Sequence, residues 1–187
     1  MTPDNFFFTE NDLAAYAVKH YNFTTHEGFN AGIWRNDNAT DNQAATDYDK
    51  KWIPGQWKVP EAYDNPASND PWYFSAIREA NYFLETVVPR FEKGEIEGSE
   101  TNIKHYIGEM YFLRAKNYLS KLETFGDFPI IKNTLPDESA SLIQASKREP
   151  RHKVARFILE DLDLAIGLLT NTCLLYTSPS PRDISGS

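Results

Sequence analysis

Trp34, Trp52 and Trp57 stand in a polar stretch, and Trp34 is followed directly by Arg35, Asn36, Asp37 and Asn38. That combination suits a sugar. An indole face takes the C–H groups of a pyranose ring, while amide, carboxylate and guanidinium groups bond to hydroxyls. Gln56 beside Trp57 offers the same pairing. The competing reading, equally open for each indole, is that it anchors the stretch to neighbouring helices. Asp37, Asp41, Asp47 and Asp49 crowd the same region, yet the run has neither the glycine nor the closing glutamate of a calcium loop.

Other side chains that could do chemistry form no recognisable set. Glu79, Glu109, Asp161 and Asp163 fall on helical segments. A glycosidase pair needs a defined separation across a cleft, so these are read as solvated or capping carboxylates. His20, His26, His105 and His152 are scattered without ligand spacing such as His-Glu-x-x-His. There is no nucleophile elbow, phosphate loop or catalytic cysteine motif. The single cysteine, Cys173, rules out an internal disulfide framework and a cysteine-based zinc site. Neither a catalytic residue, a metal nor a cofactor is expected.

Four segments with helical periodicity must position these groups. The first starts at Thr9, an N-cap with Asp12 three residues on, and puts Leu13, Tyr16, Ala17 and His20 on one face. The second is expected to start with Asp70 as N-cap and Pro71 at the first helical position. Its stripe is Tyr73, Ile77, Ala80, Leu84, Val87 and Val88, with Pro89 as its stop. The third runs from Ser99 to about Phe125, with Gly126 as C-cap, and is apolar at Ile103, Ile107, Met110, Leu113, Tyr118 and Leu122. So broad an apolar surface predicts a helix between two neighbours. The fourth runs from Arg151 to Leu169 through Val154, Ile158, Leu162, Ala165 and Leu169. Ala80 and Ala115 are expected where helices approach closely.

The connections differ in character. Residues 24–69 are long and polar but rich in aromatic side chains, which argues for an ordered, functional insertion. Phe125-Gly126-Asp127-Phe128-Pro129-Ile130-Ile131 reads as extended, leading into a connection from Leu135 to Lys147. From about Thr172 the helical pattern ends in Cys173-Leu174-Leu175-Tyr176-Thr177-Ser178-Pro179-Ser180-Pro181-Arg182-Asp183. This looks like a translated sequencing adapter, so residues 172–187 are read as a non-native tail; the alternative is a genuine Ser/Pro linker.

Bulk composition narrows the class. The chain has 187 residues, enough for one domain with a real core, and is 41% hydrophobic and 25% charged. A formal charge of −8 without a Lys/Arg cluster excludes a nucleic-acid partner, which requires phosphates to be neutralised. No apolar run is long enough to span a bilayer, and the first residues show no signal-peptide pattern.

Blocks along the helices carry a family resemblance. Tyr106-Ile107-Gly108-Glu109-Met110-Tyr111-Phe112-Leu113-Arg114-Ala115-Lys116-Asn117-Tyr118 is similar to the "GEA-x-FLRA-x-x-Y" helix of the SusD-like (RagB/SusD) family. Phe125-Gly126-Asp127-Phe128-Pro129 is similar to its "FGD-x-P". Ile77-Arg78-Glu79-Ala80-Asn81-Tyr82-Phe83-Leu84 resembles "I-x-x-AN-x-x-L". Val154, Phe157-Ile158, Asp161-Leu162-Asp163 and Ala165 resemble "V-x-x-FI-x-x-DL-x-x-A". The four blocks, in the family's order, cover most of residues 5–169. Each is largely a helix-packing pattern, and their specificity is joint.

The resemblance implies an all-α fold of tetratricopeptide-like helix pairs with a long irregular loop insertion. It also implies a lipoprotein of Bacteroidota, held on the outer membrane at the cell surface. Such a protein binds a glycan or other nutrient without catalysis and passes it to a SusC-like TonB-dependent transporter. Residues 1–171 would then be the N-terminal helical segment of an incomplete domain, lacking signal peptide, lipid-bearing cysteine and C-terminal portion. The ligand residues expected from the loop are Trp34, Arg35, Asn36, Asp37, Asn38, Trp52 and Trp57; the resemblance supports the region and supplies no motif for them individually. A helical-repeat protein-interaction scaffold would explain the helices but not the tryptophan-bearing loop. A helical glycan-degrading enzyme would need paired carboxylates facing a cleft.

Overall fold

The computed structural model describes residues 6–21, 53–56, 58–60 and 72–170. Within them the chain is all-α, with no strand and two isolated β-bridges, Thr9 to Glu97 and Phe128 to Glu149. The helices are α1 (Glu10–Val18), α2 (Ser75–Glu92), α3 (Glu100–Phe125), α4 (Ser139–Ala145) and α5 (Arg151–Leu168). The tail beyond residue 170 and most of the long connection lie outside the described residues.

α1 begins as its sequence dictates. The Thr9 hydroxyl accepts from the Asp12 amide at 3.3 Å, and an Asp12 carboxylate oxygen accepts from the Thr9 amide at 3.0 Å, closing a capping box. Leu13 and Ala17 are buried on its inner face. Just before it, Phe7 takes a left-handed backbone (φ 72°) and is fully buried. Its ring meets Phe6, Tyr16, Tyr82 and Phe83 at centroid distances of 4.7–6.0 Å.

α2 departs from expectation at both ends. It starts at Ser75, with Phe74 in the capping position and no side-chain cap, while Asp70 and Pro71 lie outside the described residues. Tyr73 therefore precedes the helix and is exposed rather than part of its buried stripe. Pro89 does not stop the helix, which continues to Glu92. A proline removes its own N–H bond and crowds the carbonyl four residues back, but it pre-sets a helical φ, and here the helix carries it in its last turn.

α3 is the axis of the fold, packing against α5, α2 and α1. It has three helical neighbours where the sequence suggested two. Ile103, Ile107, Met110, Leu113 and Tyr118 are buried, with Leu122 partly so. Ala80 and Ala115 are each 1% exposed, as close helix approach requires. Gly108 faces α5 so tightly that a Cβ there would stand 3.0 Å from the Leu168 Cβ and 3.2 Å from the Ala165 carbonyl. Gly126 ends α3 with φ 72°, a left-handed turn that favours glycine.

The start of α3 is capped from elsewhere in the chain. Ser99 makes no side-chain cap; instead Glu10 of α1 accepts from the Ser99 amide and from the Asn102 side chain, both at 2.7 Å. Gly98, at φ 139°, permits this, because a Cβ there would stand 2.5 Å from the Glu10 Cβ. α4 was not foreseen: the 135–147 connection contains a seven-residue helix with no buried residue.

Candidate functional site

Three polar side chains lie on the buried faces of three helices. Asn81 of α2, Arg114 of α3 and Asp161 of α5 are the described polar or charged residues buried in the core, with Asp161 2% exposed. The reading of Asp161 as a solvated carboxylate is thus overturned. Its two oxygens accept from Arg114 Nε and Nη2 at 2.7 Å each, a bidentate pair. Arg114 Nη1 donates to Asn81 Oδ1 at 2.9 Å and to the Lys132 carbonyl at 3.4 Å. The guanidinium also lies 5.4 Å from the Tyr111 ring centre and 5.2 Å from that of Phe157.

The network reaches out to hold a loop. Asn81 Nδ2 donates to the Ile131 carbonyl at 2.8 Å and the Asn133 carbonyl at 3.4 Å. The Tyr118 hydroxyl accepts from the Ile131 amide at 2.8 Å and donates to its carbonyl at 3.1 Å. Burial pushes this phenol up to about 12, so it keeps the proton that the second bond needs. Phe128 exchanges backbone hydrogen bonds with Glu149; beyond it, among the described residues, no strand lies beside residues 129–133, and these side chains supply partners instead. Phe128 is fully buried beneath this segment, stacked with Phe74 and Phe125.

Between the start of α2, this clamped segment and α4 lies a cavity of about 340 Å³. Trp72, Phe74, Ile77, Pro129, Ile131, Leu135 and Leu142 give it apolar walls; Arg78, Asn81, Asn133 and Ser146 are its polar contributors. Trp72 is held by Phe125 at 4.1 Å and Phe128 at 5.7 Å between ring centres, and the Arg148 guanidinium stands 5.0 Å from its ring. The Trp72 indole N–H donates to the Pro60 carbonyl at 2.8 Å, tying the end of the long connection to the rim of this cavity.

A smaller cleft of about 250 Å³ lies on the other side of α2, lined by Lys19, His20, Met110, Leu113, Lys116 and Asn117 among others. His20 Nδ1 stands 3.4 Å from a Glu79 oxygen that also meets Lys19 at 3.2 Å. Among the described residues His20 Nε2 is buried with no hydrogen-bond partner. Burial holds this imidazole below its ordinary value despite the opposing pull of Glu79. Glu109 is likewise committed, 3.0 Å from His105 Nε2, while the Thr170 amide donates to His105 Nδ1 at 3.1 Å. Among the described residues no group of three or more His, Cys, Asp or Glu could hold a metal ion.

The loop residues read from sequence as ligand-binding, Trp34, Arg35, Asn36, Asp37, Asn38, Trp52 and Trp57, all lie outside the described residues. Asn81, Arg114 and Asp161 went unnoticed as a set. Their signal was available: each interrupts an apolar stripe, and two of them bear opposite charges on helices that must touch.

A SusD-like family model, described as starch-binding and associating with the outer membrane, matches residues 2–182. The chain belongs to the SusD-like family. No curated protein and no solved structure matches it. The sequence blocks that carried the resemblance now have physical roles. Asn81, Arg114, Tyr118 and Asp161 come from three of the SusD-like blocks, and Phe128 from the fourth; together they are one clamp. Among the described residues no helix is long and apolar enough to cross a membrane.

Proposed function

We propose that this SusD-like chain is part of a non-catalytic binding protein of the outer cell surface, which captures a glycan or other nutrient and delivers it to a SusC-like TonB-dependent transporter. The observation that carries the reading is the family match over residues 2–182, a family described as starch-binding and associated with the outer membrane. The described helices fit a scaffold role, because the polar side chains buried between them, Asn81, Arg114 and Asp161, are spent on one another. Arg114, Asp161, Asn81, His105 and Glu109 are all engaged in internal pairs.

In this reading residues 1–171 are the N-terminal helical part of a larger, lipid-anchored protein, with tetratricopeptide-like helix pairs. The connection from about Gly32 to Tyr63 supplies part of the glycan surface through Trp34, Arg35, Asn36, Asp37, Asn38, Trp52 and Trp57. What supports the placement is chemical: indoles among amides and charges in a polar stretch, whose end is tethered at Trp72.

Affinity electrophoresis of the complete protein in native gels containing soluble starch and a panel of other polysaccharides tests the glycan assignment. Retardation in at least one gel, with no release of reducing sugar, is the expected result. Unchanged mobility in all of them, or hydrolysis of the retained polymer, would contradict it.

A further inference from the structure

We propose that the cavity beside Trp72 binds a small ligand in which a flat apolar body carries one anionic group, an aromatic carboxylate being the simplest example. Its volume of about 340 Å³ is at the lower end of small-molecule sites, roughly 300–1,000 Å³, and so admits a compact body of one or two rings. The walls around Trp72, Phe74 and Leu142 reward apolar surface.

The charge at the cavity is the second observation. Arg78 lines it, and Arg148 sits 5.0 Å from the ring of Trp72, which also lines it. Among the described residues neither arginine has a carboxylate within ion-pair distance, and no Asp or Glu lines the cavity. In a chain of net charge −8, an apolar cavity flanked by two guanidinium groups that have no counter-ion among the described residues is complementary to an anion. A carboxylate at the rim would take bidentate hydrogen bonds from such a fork.

This ligand class goes beyond a glycan. A sugar brings many hydroxyls, and these walls would leave most of them without partners. The Asn81 side chain is already committed to Arg114 and to the Ile131 and Asn133 carbonyls. The site is also independent of the loop residues assigned to glycan binding.

The test is calorimetric titration of the full 187-residue chain with 2-naphthoate and with neutral 2-naphthamide. The acid is expected to bind saturably and about tenfold more tightly than the amide, the worth of one charge-assisted contact. Arg78→Gln should reduce that preference and the Arg78→Gln, Arg148→Gln double variant should erase it, with a much smaller change in amide affinity. Leu142→Trp should abolish binding of both, because it fills the cavity from an exposed position that leaves the fold intact. Ser146→Phe provides a second filling variant, and each variant is first matched to wild type in its denaturation midpoint. Equal affinity for acid and amide, acid binding that survives both fillings, no saturable binding, or displacement of 2-naphthoate by maltoheptaose would each overturn the proposal.

Discussion

Arg114 and Asp161, 47 positions apart in sequence, meet through two hydrogen bonds of 2.7 Å in the interior, where α3 crosses α5. The pair is neither an isolated ion pair nor a surface one. Nη1 of the guanidinium donates to Asn81 and to the Lys132 carbonyl, and aromatic rings of Tyr111 and Phe157 flank it. A buried ion pair offsets its desolvation only when its polar atoms are well partnered, and here each guanidinium nitrogen and each carboxylate oxygen has at least one hydrogen bond. Its consequence is positional. It fixes the segment from Phe128 to Asn133 against the helices and so builds one wall of the cavity.

Removing one member of this pair should be far worse than removing both. Asp161→Leu leaves a buried guanidinium without its counter-charge and should cost about 3–5 kcal/mol. The double variant Arg114→Met with Asp161→Leu should cost less than Asp161→Leu alone. Urea denaturation midpoints check both, and additive losses would show that the two side chains are not coupled.

Gly108 should tolerate little. Ala165 and Leu168 of α5 leave room for at most a slight adjustment, so Gly108→Val should cost roughly 1–3 kcal/mol through overpacking. The denaturation midpoint is the readout. An unchanged value would mean that α3 and α5 do not approach as closely as described.

Glu10 should matter to a helix in which it does not reside. Glu10→Ala removes the acceptor for the Ser99 amide and the Asn102 side chain, and loss of such a cap costs about 1 kcal/mol. Amide hydrogen exchange should quicken in the first turn of α3 while the Tyr118 end stays protected. Uniform quickening along α3 would contradict a local capping role.

Stability should fall on mild acidification through His20. Its folded-state value lies below the ordinary 6.5, chiefly through burial, with Lys19 acting in the same sense and Glu79 against it. The unfolded chain therefore binds the proton more readily. This contribution is fully present above about pH 6.5 and is lost as the pH falls from there through the lowered folded-state value. Wild type should lose stability between pH 8 and 5.5 relative to His20→Phe. A gain on acidification would mean that the contact with Glu79 dominates.

Much of this architecture was legible in the sequence, and the failures have physical causes. The capping box at Thr9, the stripe from Ile103 to Tyr118 and the turn at Gly126 follow from local rules, and the structure keeps them. The start of α2 was misplaced because Asp70-Pro71 is a good local start signal, whereas the helix begins only at Ser75, after Trp72 and Phe74 have packed on Phe128. Pro89 reads locally as a stop, although a proline in the last turn does not forbid that turn. α4 is too short for periodicity to register, and it carries Leu142, a wall of the cavity. Asp161 looked solvated because charge predicts exposure; only the opposing charge of Arg114 on the facing stripe announces burial. The tryptophan-bearing loop lies outside the described residues, and side-chain types rather than a fold pattern mark it in the sequence.

The central functional claim is that the loop holds the glycan while the helices hold the loop. It is tested most directly by calorimetric titration of the complete protein with maltoheptaose, comparing wild type with the Trp34→Ala, Trp57→Ala double variant at matched denaturation midpoints. Removing stacked indoles is worth about 1 kcal/mol or more each beyond simple burial, so affinity should fall at least tenfold in the double variant. Affinity equal to that of wild type would show that the loop is structural and that the glycan is bound elsewhere.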